Sequence, residues 1–216
     1  LINAKGVVVE KGGMALDFAK KVTKKNMAKK KKYTGKDGKK RFSFSLKIPL
    51  RLNHQKHRLG SYKKEIIKQA KRFKIDPAIA LAITETESAF NPKATSHIPA
   101  YGLMQLVPKS GARDAYLHVY KKDKFLGKRY LYKPDNNIEL GCAYLAKIRY
   151  SYFKKIKDDE KAYICTIAAY NTGAGNVAKA LTNTTKLTPT AKKANSMSSN
   201  KLYKTLRKDL KYQETR

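Results

Sequence analysis

Two glutamates stand two residues apart in Glu85-Thr86-Glu87-Ser88, directly after the apolar run Ala78–Ile83. A helix packed into a core closes on apolar or capping residues, so carboxylates at that point call for a reason. Residues two apart on a helix face different directions, so one of the pair is expected in a cleft and the other in solvent. On spacing alone, two solvated glutamates near a helix end is the ordinary reading. The chemical alternative rests on Glu87, set between Ile83, Ala89 and Phe90. A carboxyl in apolar surroundings has its pKa raised and can donate a proton near neutral pH. Cleavage of a glycosidic bond needs such an acid, because a poor alkoxide leaving group must be protonated as an oxocarbenium-like centre forms.

Other chemistry is poorly served. Neither His97 nor His118 has a Cys, Asp or Glu at metal-ligand spacing, so both read as surface histidines. Phosphate-binding glycine loops and Ser-His-Asp motifs are missing, and no metal or cofactor is expected. Asp114, Asp123, Asp135 and Glu139 carry no motif that would make one of them a second carboxylate for Glu87.

Four segments follow one another within about ninety residues: Glu87-Ser88-Ala89-Phe90-Asn91-Pro92, Gly102-Leu103-Met104-Gln105, Asn137-Ile138 with Gly141 and Tyr144-Leu145, and Ala169-Tyr170-Asn171 with Gly173 and Gly175. Each is weak by itself, but their order resembles the family that includes soluble lytic transglycosylases and goose-type lysozymes. The resemblance covers roughly residues 57–182, with a looser match on either side to the membrane-bound lytic murein transglycosylase C type, which carries a small mixed domain ahead of the catalytic one. Leu202-Tyr203, Leu206-Arg207 and Glu214-Thr215-Arg216 resemble the stretch before that type's last helix, which this chain lacks.

The resemblance implies a lysozyme-like helical domain that cuts peptidoglycan glycan strands between N-acetylmuramic acid and N-acetylglucosamine. Glu87 acts first as acid and then as base, and the muramic acid's own 6-hydroxyl attacks the anomeric carbon. A 1,6-anhydro product forms without water, which suits a site with a lone carboxyl, since an intramolecular nucleophile supplies its own effective concentration. Ser88 and Tyr170 are implied to hold and polarise Glu87 or the sugar, while Met104, Gln105 and Asn171 line the groove and Tyr144, with Tyr101, forms an aromatic wall. Core packing is the ordinary role for Met104 and Tyr170, and Gly102 is expected to permit close backbone approach. A goose-type lysozyme, hydrolysing the same bond with water, and a non-catalytic basic cell-wall binding module are the competing readings.

The elements that must position these residues read as mainly α. Tyr62, Ile66, Ala70 and Phe73 share a helical face from Ser61 onward. Asp76 and Pro77 suit the start of a buried helix over Ile79–Ala89 that Asn91-Pro92 ends. Pro108 opens a helix toward His118, Asp135–Asn137 begins a longer one through Tyr152, and Asp158 or Asp159 caps the next, to Ala169. Asn171–Asn176 is a tight turn before a helix through Leu181, residues 182–200 read as a mobile loop, and Lys201–Tyr212 recovers an apolar stripe. Ahead of these, residues 1–56 form a small basic mixed α/β annex. It holds a β-branched run at Val7–Val9, an amphipathic helix over Ala15–Lys32, a turn at Gly35–Lys40 and a half-buried strand through Phe42, Phe44, Leu46 and Ile48. Residues 57–190 are the catalytic domain, and 191–216 a loop and helix packing on it.

Lys and Arg total 49 against 16 Asp and Glu, a formal charge of +33. Residues 1–60 hold 18 basic and 3 acidic side chains, so the annex is the denser part. A lysine-rich composition on solvated faces throughout is the plain explanation, and a polyanionic partner the functional one. Nucleic acid, anionic lipid and an acidic wall polymer satisfy such a field alike. With the family resemblance the partner becomes an anionic cell-wall polymer met by the annex, and no nucleic acid is expected. No segment approaches the roughly 20 apolar residues that span a bilayer. The resemblance implies an exported protein, periplasmic or associated with the outer membrane, with a signal or lipid anchor ahead of Leu1. Cys142 and Cys165, both in helical segments, are either buried thiols or a disulfide.

Overall fold

A computed structural model describes Lys20, residues 31–43 and residues 54–210. The chain divides into two compact units, Leu1–His57 and Arg58–Arg216.

In the first unit the described residues form a hairpin of β1 (Lys31–Thr34) and β2 (Lys40–Ser43), antiparallel, with Lys31 opposite Ser43 and Thr34 opposite Lys40. The turn expected at Gly35–Lys40 joins them, with Gly38 at φ 74° and the Arg41 guanidinium paired to Asp37 across the bend. Two expectations change here. Lys31 and Lys32, assigned to a helix, are strand residues, and Phe42, assigned to a half-buried strand, is 52% exposed. An alternation of apolar and basic residues marks the two faces of a ribbon but does not say what covers either face. Val7–Val9, Phe44, Leu46 and Ile48, and the remainder of the helix over Ala15–Lys32 apart from helical Lys20, lie outside the described residues.

The second unit is helical, as composition and period predict. Helix α1 (His54–Arg72) starts earlier than its apolar face suggests and buries Ile66 and Ala70. Lys74 (φ 59°) turns the chain, and α2 (Pro77–Ser88) follows. Asp76 caps it by accepting from the Ala78 N–H at 2.7 Å, while its own N–H donates to the Tyr163 hydroxyl at 3.0 Å, so one residue both starts α2 and fastens it to a later helix. Buried Thr84 is satisfied by donating to the Ala80 carbonyl. The helix ends at Ser88, where Ala89 (φ 47°) and Phe90 (φ 58°) are both left-handed, a conformation costly for non-glycine residues. Burial of the Phe90 ring holds the reversal in place.

A short π-type turn over Pro108–Ala112 leads into α3 (Arg113–Tyr120), then α4 (Lys128–Leu131) and α5 (Pro134–Lys147), extended by a second π-type turn over Ile148–Tyr152. Helix α5 is the axis of the unit: Asn137, Ile138, Leu140, Gly141, Cys142, Ala143, Leu145 and Ala146 are all buried. Such all-round burial marks a helix surrounded by others. Helix α6 (Asp159–Thr172), capped by Asp158 accepting from the Lys161 N–H, ends at Gly173 (φ 89°), and α7 (Ala174–Thr182) follows.

The expected loop over 182–200 is a correction. It contains α8 (Leu187–Asn195) and the start of α9 (Ser199–Asp209), with Thr190, Ala191, Ala194 and Met197 buried. Its apolar face consists of alanines three apart amid Thr, Lys and Asn, too small a signal to stand out from a polar composition. Asn195 pins it by donating to the Lys155 carbonyl and accepting from the Lys157 N–H. Leu202, Leu206 and Leu210 are buried as expected, while Tyr203 is exposed. Cys142 and Cys165 are free and buried, and desolvation pushes each thiol up to about 12.

Replacing Asp76 by Ala removes the α2 cap and is expected to destabilise the helical unit by about 1 kcal/mol. Urea unfolding monitored by circular dichroism checks this, and an unmoved midpoint would show the cap to be idle.

Candidate active site

The region around Glu87 is organised by a six-residue turn, Tyr101–Leu106. Its ends pair through reciprocal backbone bonds between Tyr101 and Leu106, and Tyr101 also bridges Thr95. Gly102 has φ 81°, and a Cβ there would lie 2.4 Å from both Asn137 Nδ2 and the Leu131 carbonyl oxygen. The close backbone approach expected of Gly102 is therefore real, and what it approaches is the Asn137 side chain.

Asn137 is 1% exposed and uses three of its hydrogen-bonding positions. Its Oδ1 accepts from the Met104 N–H at 2.7 Å, and its Nδ2 donates to the Tyr101 carbonyl at 2.8 Å and the Leu131 carbonyl at 2.9 Å. From α6, Tyr170 donates its hydroxyl to the Met104 carbonyl at 2.7 Å. From the last turn of α2, Ser88 donates to the Leu103 carbonyl at 2.7 Å, with the Thr84 carbonyl farther off at 3.1 Å. Gly141 completes the seat, since a Cβ there would stand 2.2 Å from Met104 Sδ. The four sequence segments thus converge on the backbone of Leu103 and Met104.

The individual expectations divide accordingly. Met104, assigned to the groove, has a fully buried side chain in the core with Ile66, Phe90 and Ile138, so its backbone is the part engaged. Ser88 and Tyr170, assigned to hold Glu87 or the sugar, spend their single hydroxyl protons on the turn's carbonyls, which leaves them only acceptor lone pairs to offer elsewhere. Gln105 adopts φ 45° and folds its amide back onto the Gly102 carbonyl at 2.8 Å, half-buried. Asn171 is exposed on the last turn of α6. Tyr144 is half-buried, its ring 5.4 Å from that of Tyr170, and Gly111 leaves the room it occupies. Tyr101 meets Tyr132 edge-on at 5.6 Å, and Lys93 lies over the Tyr132 ring at 4.9 Å.

Glu87 is half-buried on the final turn of α2, whereas Glu85 is exposed, the division expected of residues two apart. Burial raises the Tyr170 phenol well above its ordinary value, and the nearby Glu87 charge, with Tyr144 and Cys142, adds to this, so Tyr170 stays protonated across the physiological range. Of the carboxylates considered beside Glu87, three have structural partners: Asp114 meets Lys147 and Tyr152, Asp123 meets Arg113, and Glu139 meets Arg72 and Tyr120, while Asp135 is exposed in the first turn of α5. His97 is exposed. His118 is half-buried, and burial, Lys121 and Lys147 hold its imidazole below the usual range. Among the described residues no three His, Cys, Asp or Glu side chains come together in a way that could hold a metal ion. The residue missed by sequence reasoning is Asn137, quoted as part of a motif without a role. An amide at the head of the largely apolar run Ile138–Ala146, broken by Glu139, was the available signal.

Asn137→Leu strands the Met104 N–H and the Leu131 carbonyl in the interior, so a loss of at least about 2 kcal/mol is expected. Tyr170→Phe should cost about 1 kcal/mol by releasing one carbonyl. Thermal unfolding of the two variants measures both, and equal small effects would remove Asn137 from its central place.

The chain was compared with known proteins. The family described as "Transglycosylase SLT domain" matches residues 64–193. A membrane-bound lytic murein transglycosylase C from Haemophilus influenzae is 39% identical over 136 residues, which is 63% of this chain and 38% of that protein. One of the same description from Klebsiella pneumoniae is 36% identical over 166 residues, 77% of this chain and 45% of that protein. The chain therefore spans less than half the length of these relatives. Among solved structures, an inactive variant of the lytic transglycosylase Slt from Pseudomonas aeruginosa is similar at 27% identity with a TM-score of 0.48, over 68% of this chain and 22% of that one.

Proposed function

The chain belongs to the transglycosylase SLT family, and from that premise we propose that it cleaves the β-1,4 bond between N-acetylmuramic acid and N-acetylglucosamine in peptidoglycan, releasing 1,6-anhydro muropeptides. The observation that carries this reading is the setting of Glu87: a half-buried carboxyl on the last turn of α2, close to a Tyr170 that is fixed on the 101–106 turn. Glu87 protonates the leaving oxygen as the bond breaks, then accepts the proton of the muramic acid 6-hydroxyl as that oxygen closes on the anomeric carbon. Atoms balance without water, so no second carboxylate is required to activate one. The structural engagement of Asp114, Asp123 and Glu139 supports a single-carboxyl scheme over a two-carboxylate hydrolase.

Gln105, Tyr144 and Asn171 are the side chains best placed to meet the glycan, while Ser88, Met104 and Tyr170 act through the turn. In this reading residues 57–190 carry the catalysis, 191–216 complete that domain, and residues 1–56 form a basic annex that meets anionic wall polymer. The relatives' description as membrane-bound supports a place at the wall, periplasmic or at the outer membrane. Among the described residues no helix is long and apolar enough to cross a membrane.

Digestion of purified sacculi with the wild-type chain and with Glu87→Gln, read by mass spectrometry, tests the mechanism. Anhydro fragments should fall by about 10²–10⁴-fold in the variant. Glu87-dependent reducing ends would indicate a lysozyme, and no Glu87-dependent product would indicate a binding module. For the annex, retention on sacculi should weaken as salt rises, and salt-independent retention would sink the polyanion reading.

A further inference from the structure

After α3 the chain runs without regular structure from Lys121 to Gly127 before α4. Leu126 is 1% exposed and anchors this loop in the core beside Leu131 and Leu140. Its neighbour Phe125 is 63% exposed. Arg113 holds the loop in shape by donating to both carboxylate oxygens of Asp123, with Nε to Oδ1 at 2.6 Å. That pairing also neutralises the loop's own acidic group. Lys121, Lys122, Lys124, Lys128 and Arg129 flank Phe125 along the chain, all exposed, with the Lys124 ammonium 5.9 Å from the Tyr116 ring centroid, and the last turns of α3 leave Leu117 and Tyr120 exposed as well.

Lysines on a surface are ordinary in a chain of this composition. An aromatic side chain held outward between them in sequence by a pinned loop is not, because the same loop buries the very next residue. Ile98 is more exposed still, yet its neighbours Ser96, His97 and Pro99 include no lysine or arginine. A hydrated polyanion would match the cations and leave the phenyl ring in water. The headgroup boundary of an anionic bilayer matches both, since the ring enters the acyl margin while the ammonium groups remain among the phosphates.

We propose that the Lys121–Arg129 loop is a peripheral membrane-contact site that docks the helical unit on anionic phospholipid through Phe125. The proposal does not rest on the glycan reading. The loop supplies a contact by the folded unit itself, in addition to anything that precedes Leu1.

The chain contains no tryptophan, so Phe125→Trp introduces a single indole whose emission can be excited at the red edge, clear of the 14 tyrosines. With vesicles of equal parts phosphatidylcholine and phosphatidylglycerol, this variant should shift to the blue and be quenched by bromine-labelled acyl chains. Vesicles of phosphatidylcholine alone should leave it unchanged. In sedimentation with the anionic vesicles, Phe125→Ser should weaken partition roughly tenfold. Each of Lys122→Gln and Lys124→Gln should weaken it about fivefold at low salt. Residues 1–60 are unaltered throughout, so their charge contributes equally to every variant. Pelleting of the chain with no change in indole emission would assign the contact to another segment and overturn the proposal. An equal emission change with soluble polyglutamate would reassign the loop to polyanions, and a Phe125→Ser variant that binds like wild type would overturn it as well.

Discussion

A short turn with buried backbone polar groups and no neighbouring strand to satisfy them is the problem around which the helical unit is built. Residues Tyr101–Leu106 close on themselves at the ends and through Gln105 onto the Gly102 carbonyl, which leaves the amide and carbonyl of Met104 and the carbonyl of Leu103 to be partnered from outside. Three helices each send one side chain to do so: Asn137 from α5, Tyr170 from α6 and Ser88 from α2. An unpartnered buried group costs more than any of these bonds contributes alone, so the arrangement is held chiefly by the penalty for leaving it.

The same set of bonds fixes the relation between α2 and the rest. Glu87 precedes Ser88, and Ser88 is tied to the turn, so the carboxyl is located by the residue beside it. After Ser88 the backbone enters two successive left-handed residues, and Phe90 is driven into the core. Tyr170 stands where three groups of core side chains meet, its ring serving the packing of all three while its hydroxyl serves the turn. One residue thereby joins core integrity to the geometry around Glu87. It also remains a phenol, because burial and the adjacent carboxylate both oppose ionisation.

Charge works on a different scale. Among the described residues most lysines lie on solvated surface, where isolated ion pairs contribute little, and several acidic side chains are engaged as caps, as ties such as Arg72–Glu139, or as the clasp between Arg113 and Asp123. With 49 basic against 16 acidic side chains, the outward field is dominated by the cations. Its effect then depends on local shape: a plain lysine face is solvated, whereas cations around a fixed aromatic ring offer two kinds of contact at once.

The helical class, the starts of the helices at Asp76 and Asp158, and the different exposure of Glu85 and Glu87 were legible in the amino-acid order, because periodicity and capping act over a single turn of chain. The helices expected from Pro108 and Asp135 begin at Arg113, after a π-type turn, and at Pro134. The membership of Ser88, Gly102, Asn137, Gly141 and Tyr170 in one ordered set was legible too. Their division of labour was not. A Met that reads as groove lining is core, hydroxyls that read as polarising the carboxyl are spent on carbonyls, and a polar stretch that reads as a loop is largely a helix seated on alanines. Sequence determined which residues were needed and in what order. Only the tertiary structure decided which atom of each is used, since a hydroxyl or amide takes its partner from whatever unsatisfied group packing brings within 3 Å, and those groups lie about fifteen to seventy residues away along the chain.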